Sequence, residues 1–353
     1  MAVRIAATVG ALDIDFVAAA LGHPGELSWL AASRIGTGQV AMSLRLELEW
    51  AAGTNPGRPT VLIAKIPAPE PESREAARLM RTYELEVGFY RDIAPSVTVP
   101  HPVASYAEID PSTGDFTLLM TLAPGRVGDQ LAGCSPLHAA AMVDAVVGLH
   151  APTWGRAEEF AELDWLPMPD PAMVAMRVGA YQMLLPGFEE RFVGRVGTSV
   201  VQAARWLGEH LSDVIATYRS PLCLTHGDYR LDNVLFSDDP EPSVTVLDWQ
   251  TLGVGRGASD VAYAIGSGLL PDVRRRHETA LLDRYVTGLG SAGVDVDVDA
   301  VRDDYRLGTS TGLAMAVIAS QLVSSTERGD EMFAMMAERH VSQMTDNDVF
   351  SLV

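Results

Sequence analysis

The sequence predicts an α+β protein built as two lobes, a sheet-rich N-terminal one and a mainly helical C-terminal one. Three observations carry the prediction. Period-two apolar alternation marks the first third of the chain, alanine-rich apolar runs of helical length fill most of the rest, and one pair of short apolar runs near residues 222–248 interrupts them. Strands first and helices later, with a single hairpin between, is an α+β layout.

The elements follow in chain order. Residues 12–32 read as a helical preamble. After the glycine turn Ile35-Gly36-Thr37-Gly38-Gln39, the residues Met42, Leu44, Leu46, Leu48 and Trp50 alternate with Arg45, Glu47 and Glu49, which is strand periodicity. Residues 51–59 are a Gly/Pro/Asn turn, and Val61 to Ile66 is the next strand, closed by Pro67. Lys65 therefore stands at the end of an apolar strand. Ala77, Met80, Leu85, Phe89 and Ile93 are spaced for one helix over 74–93, and residues 103–109 and 116–122 pair across the turn Asp110 to Gly114. Ala123-Pro124-Gly125 breaks the chain, so the lobes are read as 1–122 and 123–353. Beyond it, helices are predicted over 136–150, 170–185, 189–218, 272–289, 300–325 and 330–344.

Composition narrows the function. The 353 residues are 48% apolar and 20% charged, within the range of globular enzymes. A formal charge of −20 repels nucleic acid and anionic membranes, which excludes both as main partners and leans towards a neutral or cationic ligand. Two cysteines, Cys134 and Cys223, make neither a disulfide framework nor a zinc site, and a reducing, cytoplasmic setting is expected. Asp13 and Asp15 interrupt the N-terminal apolar stretch, so it does not read as a signal peptide, and Gly312 to Ser320 is too short to span a bilayer. Of the 26 basic residues only Lys65 is a lysine. In a chain that takes its surface charge from arginine, one retained ammonium suits a site needing a compact point charge against phosphate oxygens.

The chemistry concentrates in Leu224-Thr225-His226-Gly227-Asp228-Tyr229-Arg230-Leu231-Asp232-Asn233-Val234-Leu235-Phe236, followed after a turn by Val244-Thr245-Val246-Leu247-Asp248-Trp249. The apolar runs Val234 to Phe236 and Val244 to Leu247 flank a turn rich in Asp and Pro and read as an antiparallel hairpin. Asn233 then opens one strand and Asp248 ends the other, at the same end of the hairpin, with Asp228 in the loop feeding that end. A few hard oxygen donors are what Mg²⁺ accepts when phosphates complete its shell, and a remaining carboxylate can orient or deprotonate a hydroxyl.

His226-Gly-Asp228-x-x-x-x-Asn233, followed by Leu247-Asp248-Trp249-Gln250, resembles the aminoglycoside phosphotransferase and choline kinase superfamily, small-molecule relatives of protein kinases. Tyr83 to Tyr90 and Leu149-His150-Ala151 with Trp154 are similar to the bacterial, ecdysteroid-kinase-like branch. The resemblance covers most of the chain and implies a bilobal protein-kinase-like fold. It also implies roles: Asp228 as the catalytic residue that receives the acceptor hydroxyl, Asn233 and Asp248 as Mg²⁺ ligands, Lys65 on the α- and β-phosphates, and Glu86 paired with Lys65. Residues 36–43, including Gly36, Thr37 and Gly38, would cover the phosphates. Met120 to Leu122 would form the hinge whose backbone reads the adenine of ATP, while His226 and Asp260 would brace the catalytic loop.

Some positions stay open. Gly36-x-Gly38-x-x-Ala41 lacks a third glycine; it leads into a strand, unlike a dinucleotide-binding loop, and no Gly-Lys-Ser/Thr follows, unlike a P-loop. Glu75 and Glu84 compete with Glu86 for Lys65. Gly253-Val254-Gly255-Arg256-Gly257 reads as a flexible connection, Asp303, Asp304 and Glu331 as solvated helix faces, and Arg274-Arg275-Arg276 as surface. The expected activity is transfer of the ATP γ-phosphate to a hydroxyl of a small molecule by a monomer or homodimer. A silent nucleotide-binding protein, an AMP transferase and a metal-dependent hydrolase are the rivals. The acceptor is not legible.

Overall fold

The computed structural model describes residues 4–36, 40–52 and 57–353. Thr37 and Gly38, expected over the phosphates, lie outside the described residues. The chain divides into two compact units: Met1–Ser96 with His101–Pro124 and Asp248–Leu252, and Val97–Pro100 with Gly125–Leu247 and Gly253–Val353.

The first unit is a five-stranded antiparallel sheet, in the order β1-β2-β3-β5-β4. Its strands are β1 (Leu27–Ile35), β2 (Ala41–Trp50), β3 (Val61–Pro67), β4 (Ala104–Asp110) and β5 (Asp115–Thr121). Leu44, Leu46 and Leu48 of β2 alternate inward and meet Leu62, Ala64 and Ile66 of β3. Phe16 and Val17 of α1 (Ile14–Ala20) close this layer, and Asp13 caps that helix by accepting from the Phe16 N–H at 2.7 Å.

Two expectations fail here. The preamble is not helical to residue 32, because Gly22 and Gly25 adopt positive φ and turn the chain into β1. Pairing with β2 then overrides the helix propensity of Ala31 and Ala32. Nor is 74–93 one helix. Arg81 adopts φ +57° and separates α2 (Pro71–Leu79) from α3 (Thr82–Gly88), and the chain continues from α3 through a wider π-type turn over Phe89–Ile93.

The second unit is mainly helical: α4 (Pro136–Thr153), α5 (Pro171–Arg191), α6 (Thr198–Thr217), α7 (Gly257–Gly268), α8 (Pro271–Ser291), α9 (Val298–Gly308), α10 (Thr311–Leu322) and α11 (Glu327–Asp346). Tyr181, Phe188, Leu207, Tyr263, Leu313, Val317 and Met336 pack into its core. Five short strands complete it: β6 (Arg126–Val127), β7 (Cys223–Thr225), β8 (Val234–Phe236), β9 (Val244–Val246) and β10 (Gly253–Gly255). The predicted hairpin is β8–β9, in the register Val234↔Val246, Leu235↔Thr245 and Phe236↔Val244. Among the described residues no helix is long and apolar enough to cross a membrane.

Helix boundaries are corrected in this unit. α5 continues past Leu185 to Arg191, and α6 begins only at Thr198, after Gly194 and Gly197. The 300–325 run is two helices, because the Thr309 and Ser310 hydroxyls bond back to the carbonyls of Arg306 and Leu307 where α9 ends. The segment read as a flexible connection is ordered: β10 pairs antiparallel with β7, and α7, unforeseen, starts at Gly257. Arg274 is buried at 1% exposure, bonded to Glu278 at 2.6 Å and to Asp346. Asp304 is fully buried and accepts the Arg219 and Ser220 N–H groups, each at 2.8 Å. Both contradict the solvated positions that the sequence predicts.

Candidate active site

In the first unit, β3 pairs with β2 and β5 so that Lys65 lies opposite Ser43 and Leu118. Its Nζ donates to Glu86 Oε1 at 2.5 Å and to Asp248 Oδ1 at 3.1 Å. The break at Arg81 settles which glutamate meets the lysine. Glu75 on α2 binds Arg78 at 2.7 Å and Glu84 binds Arg81 at 2.6 Å, which leaves Glu86, on the buried face of α3, for Lys65.

The charges of this triad do not cancel. Burial alone would lower the Lys65 pKa, but the Asp248 and Glu86 carboxylates outweigh it and hold the ammonium above its ordinary value. Glu86 is raised, first by its burial and further by Asp248, with Lys65 opposing. One cation cannot neutralise two carboxylates, and the more deeply buried of them bears the excess.

Asp248 is held in an uncommon conformation, φ +64°, which few side chains other than Asn and Asp tolerate. The next residue fixes it. Trp249 is fully buried and stacks on Phe89, centroids 3.5 Å apart and planes within 7°, and its backbone N–H donates to Glu86. Gly36 has φ +69° at the turn after β1. Met120 is buried on β5 opposite Ile63, whereas Leu122 lies just past the strand end and is exposed.

In the second unit, β7 feeds a loop tied down at each step. Asp260 on α7, 2% exposed, accepts the His226 N–H at 2.6 Å, the Gly227 N–H at 3.0 Å and His150 Nε2 at 3.2 Å. His226 Nε2 donates to the Leu247 carbonyl at 2.9 Å while its Nδ1 accepts the Asp228 N–H at 3.3 Å, which assigns the Nε2–H tautomer and a bracing part. Asp228 accepts from three side chains. Its Oδ1 accepts from Tyr263 Oη at 2.8 Å and Arg230 Nε at 3.1 Å, and its Oδ2 from Asn233 Nδ2 at 2.9 Å. The Asn233 amide nitrogen also donates to the Asp228 carbonyl at 2.8 Å, so its Oδ1 is left to face another donor or a cation. Asn233 closes a 3₁₀ turn, Leu231–Asn233, rather than opening β8.

The sequence reading missed Arg230, Tyr263 and Gln130. Arg230 sits two residues past Asp228 inside the motif, a spacing that could have flagged it. Tyr263 follows Asp260 by three on one helix face, which brings both to the same loop. Gln130 had no local signal: it is fully buried, accepting the Leu231 N–H at 2.9 Å and donating to the Ser267 carbonyl at 2.8 Å, across a hundred residues of sequence.

A sheet carrying a buried Lys–Glu pair, and a helical unit carrying an Asp-x-x-x-x-Asn loop ahead of a hairpin, belong to the kinase-like phosphotransferases. The chain is a member of the phosphotransferase enzyme family (APH), whose model matches residues 46–302. It is similar to Plasmodium vivax ethanolamine kinase at 11% identity, covering 92% of this chain and 83% of that one, with a TM-score of 0.57. It is similar to macrolide 2'-phosphotransferase MphH from Brachybacterium faecium at 19% identity, 92% and 95% coverage and TM-score 0.52. A mutant aminoglycoside 2'-phosphotransferase-IIIa bound to GDP gives 12% identity, 92% and 94% coverage and TM-score 0.53. At these identities the likeness speaks to the fold. Among curated proteins, mouse acyl-CoA dehydrogenase family member 10 is 37% identical over 67 residues, 19% of this chain; the match spans only 6% of that relative's length. The family match makes the chain a phosphotransferase, and the neighbours share its fold.

Proposed function

We propose that the chain transfers the γ-phosphoryl group of ATP to a hydroxyl of a small molecule, with Asp228 receiving the hydroxyl proton. The observation that carries this reading is the single lysine of the chain, held buried on Glu86 and Asp248 where a phosphate chain would need an ammonium. Lys65 binds the α- and β-phosphates and Glu86 orients it; Gly36 lies at the turn that leads towards them; the backbone of Met120 to Leu122 takes the adenine. The functional division falls at residues 122 and 123.

The donors suit Mg²⁺. Asn233 keeps its amide oxygen available because its nitrogen is engaged, and Asp248 adds a carboxylate. Two protein oxygens are too few for a closed cage and fit an ion that shares phosphates and keeps waters. When bound, Mg²⁺ would neutralise charge on the phosphates. The rest is positioning: Asp228 is fixed by Tyr263 and Asn233 so that a hydroxyl placed on it is aligned for attack. The acceptor is a neutral or cationic alcohol, in keeping with the acidic surface and with neighbours named for ethanolamine, macrolides and aminoglycosides.

The test is a screen of hydroxyl compounds with MgATP, the nucleotide product identified by chromatography. ADP made in step with a phosphorylated acceptor is expected; AMP, or no nucleotide consumption with any acceptor, refutes the reading. Asp228→Asn is expected to lower kcat on the order of 100-fold or more while MgATP binding persists.

A further inference from the structure

The 3₁₀ turn Leu231–Asn233 has no cap of its own. Its first N–H lacks a partner within the turn, as at any helical N-terminus, and the side chain of Arg230 does not supply one. The partner comes from the segment between β6 and α4, 101 residues away in sequence: Gln130 Oε1 accepts the Leu231 N–H at 2.9 Å. The backbone N–H of Gln130 donates to Asp232 Oδ1 at 3.2 Å, so two consecutive residues of the turn are held. Gly128 lets the segment come this close, because a Cβ there would stand 2.6 Å from the Leu231 carbonyl oxygen. On its other side the segment is anchored to two helices. Gln130 Nε2 donates to the Ser267 carbonyl of α7 at 2.8 Å, and Arg339 Nη1 of α11 donates to the carbonyls of Gln130 and Ser267 at 3.1 and 2.6 Å.

The two ends of the Gln130 amide are not equivalent. Without it, the Ser267 carbonyl would keep Arg339, whereas the Leu231 N–H would be left buried with no partner. The damage would fall on the turn and not on the core around α7. Asn233 closes that turn by donating its N–H to the Arg230 carbonyl at 3.0 Å, and its side-chain amide reaches Asp228 at 2.9 Å. Moving Leu231 therefore moves the Asn233 amide relative to Asp228. We infer that Gln130 is a positioning residue, which caps the Leu231–Asn233 turn from a distant part of the chain and so fixes the Asn233 amide beside Asp228. Partners behind a metal ligand commonly set its orientation, and their loss costs about 10–100-fold in metal affinity or activity.

This inference rests on the kinase reading, and the experiment separates the two. Wild type, Gln130→Met and Gln130→Glu are compared in ADP formation with an acceptor from the screen, in melting, and in Mn²⁺ binding followed by electron paramagnetic resonance with a non-hydrolysable ATP analogue. Methionine keeps the length of the side chain and removes the acceptor. Glutamate keeps an oxygen for Leu231 and lies near Arg339, whose guanidinium meets carbonyls and no carboxylate among the described residues. A purely structural role favours Met over a buried Glu, whereas a capping role reverses the order. Gln130→Met is expected to lose about tenfold in kcat and about tenfold in Mn²⁺ affinity, with Gln130→Glu nearer to wild type in both. Should Gln130→Met fail to fold, Gln130→Asn, one methylene short of Leu231, is read in its place, with losses beyond twofold expected in both quantities and wild-type values overturning the idea. A wild type that makes no ADP with any acceptor removes the kinase reading and this inference with it. An active wild type whose Gln130→Met stays within twofold in kcat and Mn²⁺ affinity, or whose Gln130→Glu is no better than Gln130→Met, overturns this inference alone.

Discussion

Replacing Lys65 by methionine keeps the apolar stem and removes the ammonium. At an effective dielectric of about 20, contacts of 2.5 Å to Glu86 and 3.1 Å to Asp248 are worth about 7 and 5 kcal/mol in gross attraction. Taking the ions out of water costs several kcal/mol each, so the intact triad contributes little net stability. Lys65→Met is a different matter, because Glu86 is only 1% exposed and would be left beside Asp248 with no counter-charge. Breaking a buried pair in this way costs about 3–5 kcal/mol. Adding Glu86→Gln removes one of the two stranded carboxylates, so the double variant should regain about 2 kcal/mol. Urea unfolding of wild type, both single variants and the double variant closes the cycle. A Lys65→Met protein within 0.5 kcal/mol of wild type, on the order of a surface change, refutes the reasoning. So does a double variant no more stable than Lys65→Met.

Three further outcomes follow. Burial pushes the His340 imidazole down to about 3, whereas an unfolded histidine titrates near 6.5. Between those values the unfolded chain holds a proton that the folded one lacks, so stability is complete above pH 6.5 and falls by up to about 1.4 kcal/mol per pH unit below it; melting temperatures of wild type and His340→Leu between pH 7 and 4.5 should diverge in slope, and parallel curves contradict this. Gly257→Ala would drive its Cβ into Tyr285 Oη and to 2.7 Å from His150 Nδ1, disturbing the histidine that bonds Asp260, so a loss of about 1–3 kcal/mol in denaturant melts and a lowered kcat are expected, and wild-type values in both refute it. ATP with excess EDTA should shift the melting temperature far less than MgATP does, and equal shifts count against Mg²⁺ at Asp248 and Asn233.

How much of this was legible depended on whether a residue's partner lay nearby in sequence. The hairpin, its loop and the strand carrying Lys65 declare themselves through period-two runs and a turn of Asp and Pro, both local signals. The choice of Glu86 over Glu75 and Glu84 rested on the family resemblance and not on local periodicity, because it depends on Arg81 adopting φ +57° and turning α3 relative to α2. Nothing in a run of helix-forming residues announces that break. Gly253 to Gly257 misled for a related reason. Glycines permit flexibility, but here they permit close approach: β10 lies on β7, and Gly257 leaves room for Tyr285 and His150. Arg274 and Asp304 looked solvated because charge is a weak guide to burial when partners arrive from other helices.

In each unit, taken by itself, a candidate-site cation lies between two carboxylates. In the first, Lys65 serves Glu86 and Asp248; in the second, Arg230 serves Asp228 and Asp232. Neither arrangement maximises stability, since each leaves an excess of negative charge partly out of water. Both make sense for a protein whose ligand brings its own cation. A phosphate chain alone would be repelled by such carboxylates, whereas the same chain carrying Mg²⁺ meets oxygens already short of positive charge. On the proposed function, holding Lys65 on carboxylates also keeps its side chain ordered before the nucleotide arrives, so little entropy would remain to be lost on binding phosphate. By this argument the acidic residues would discriminate between free and metal-bound nucleotide, and Lys65 would be held ready for the phosphates themselves.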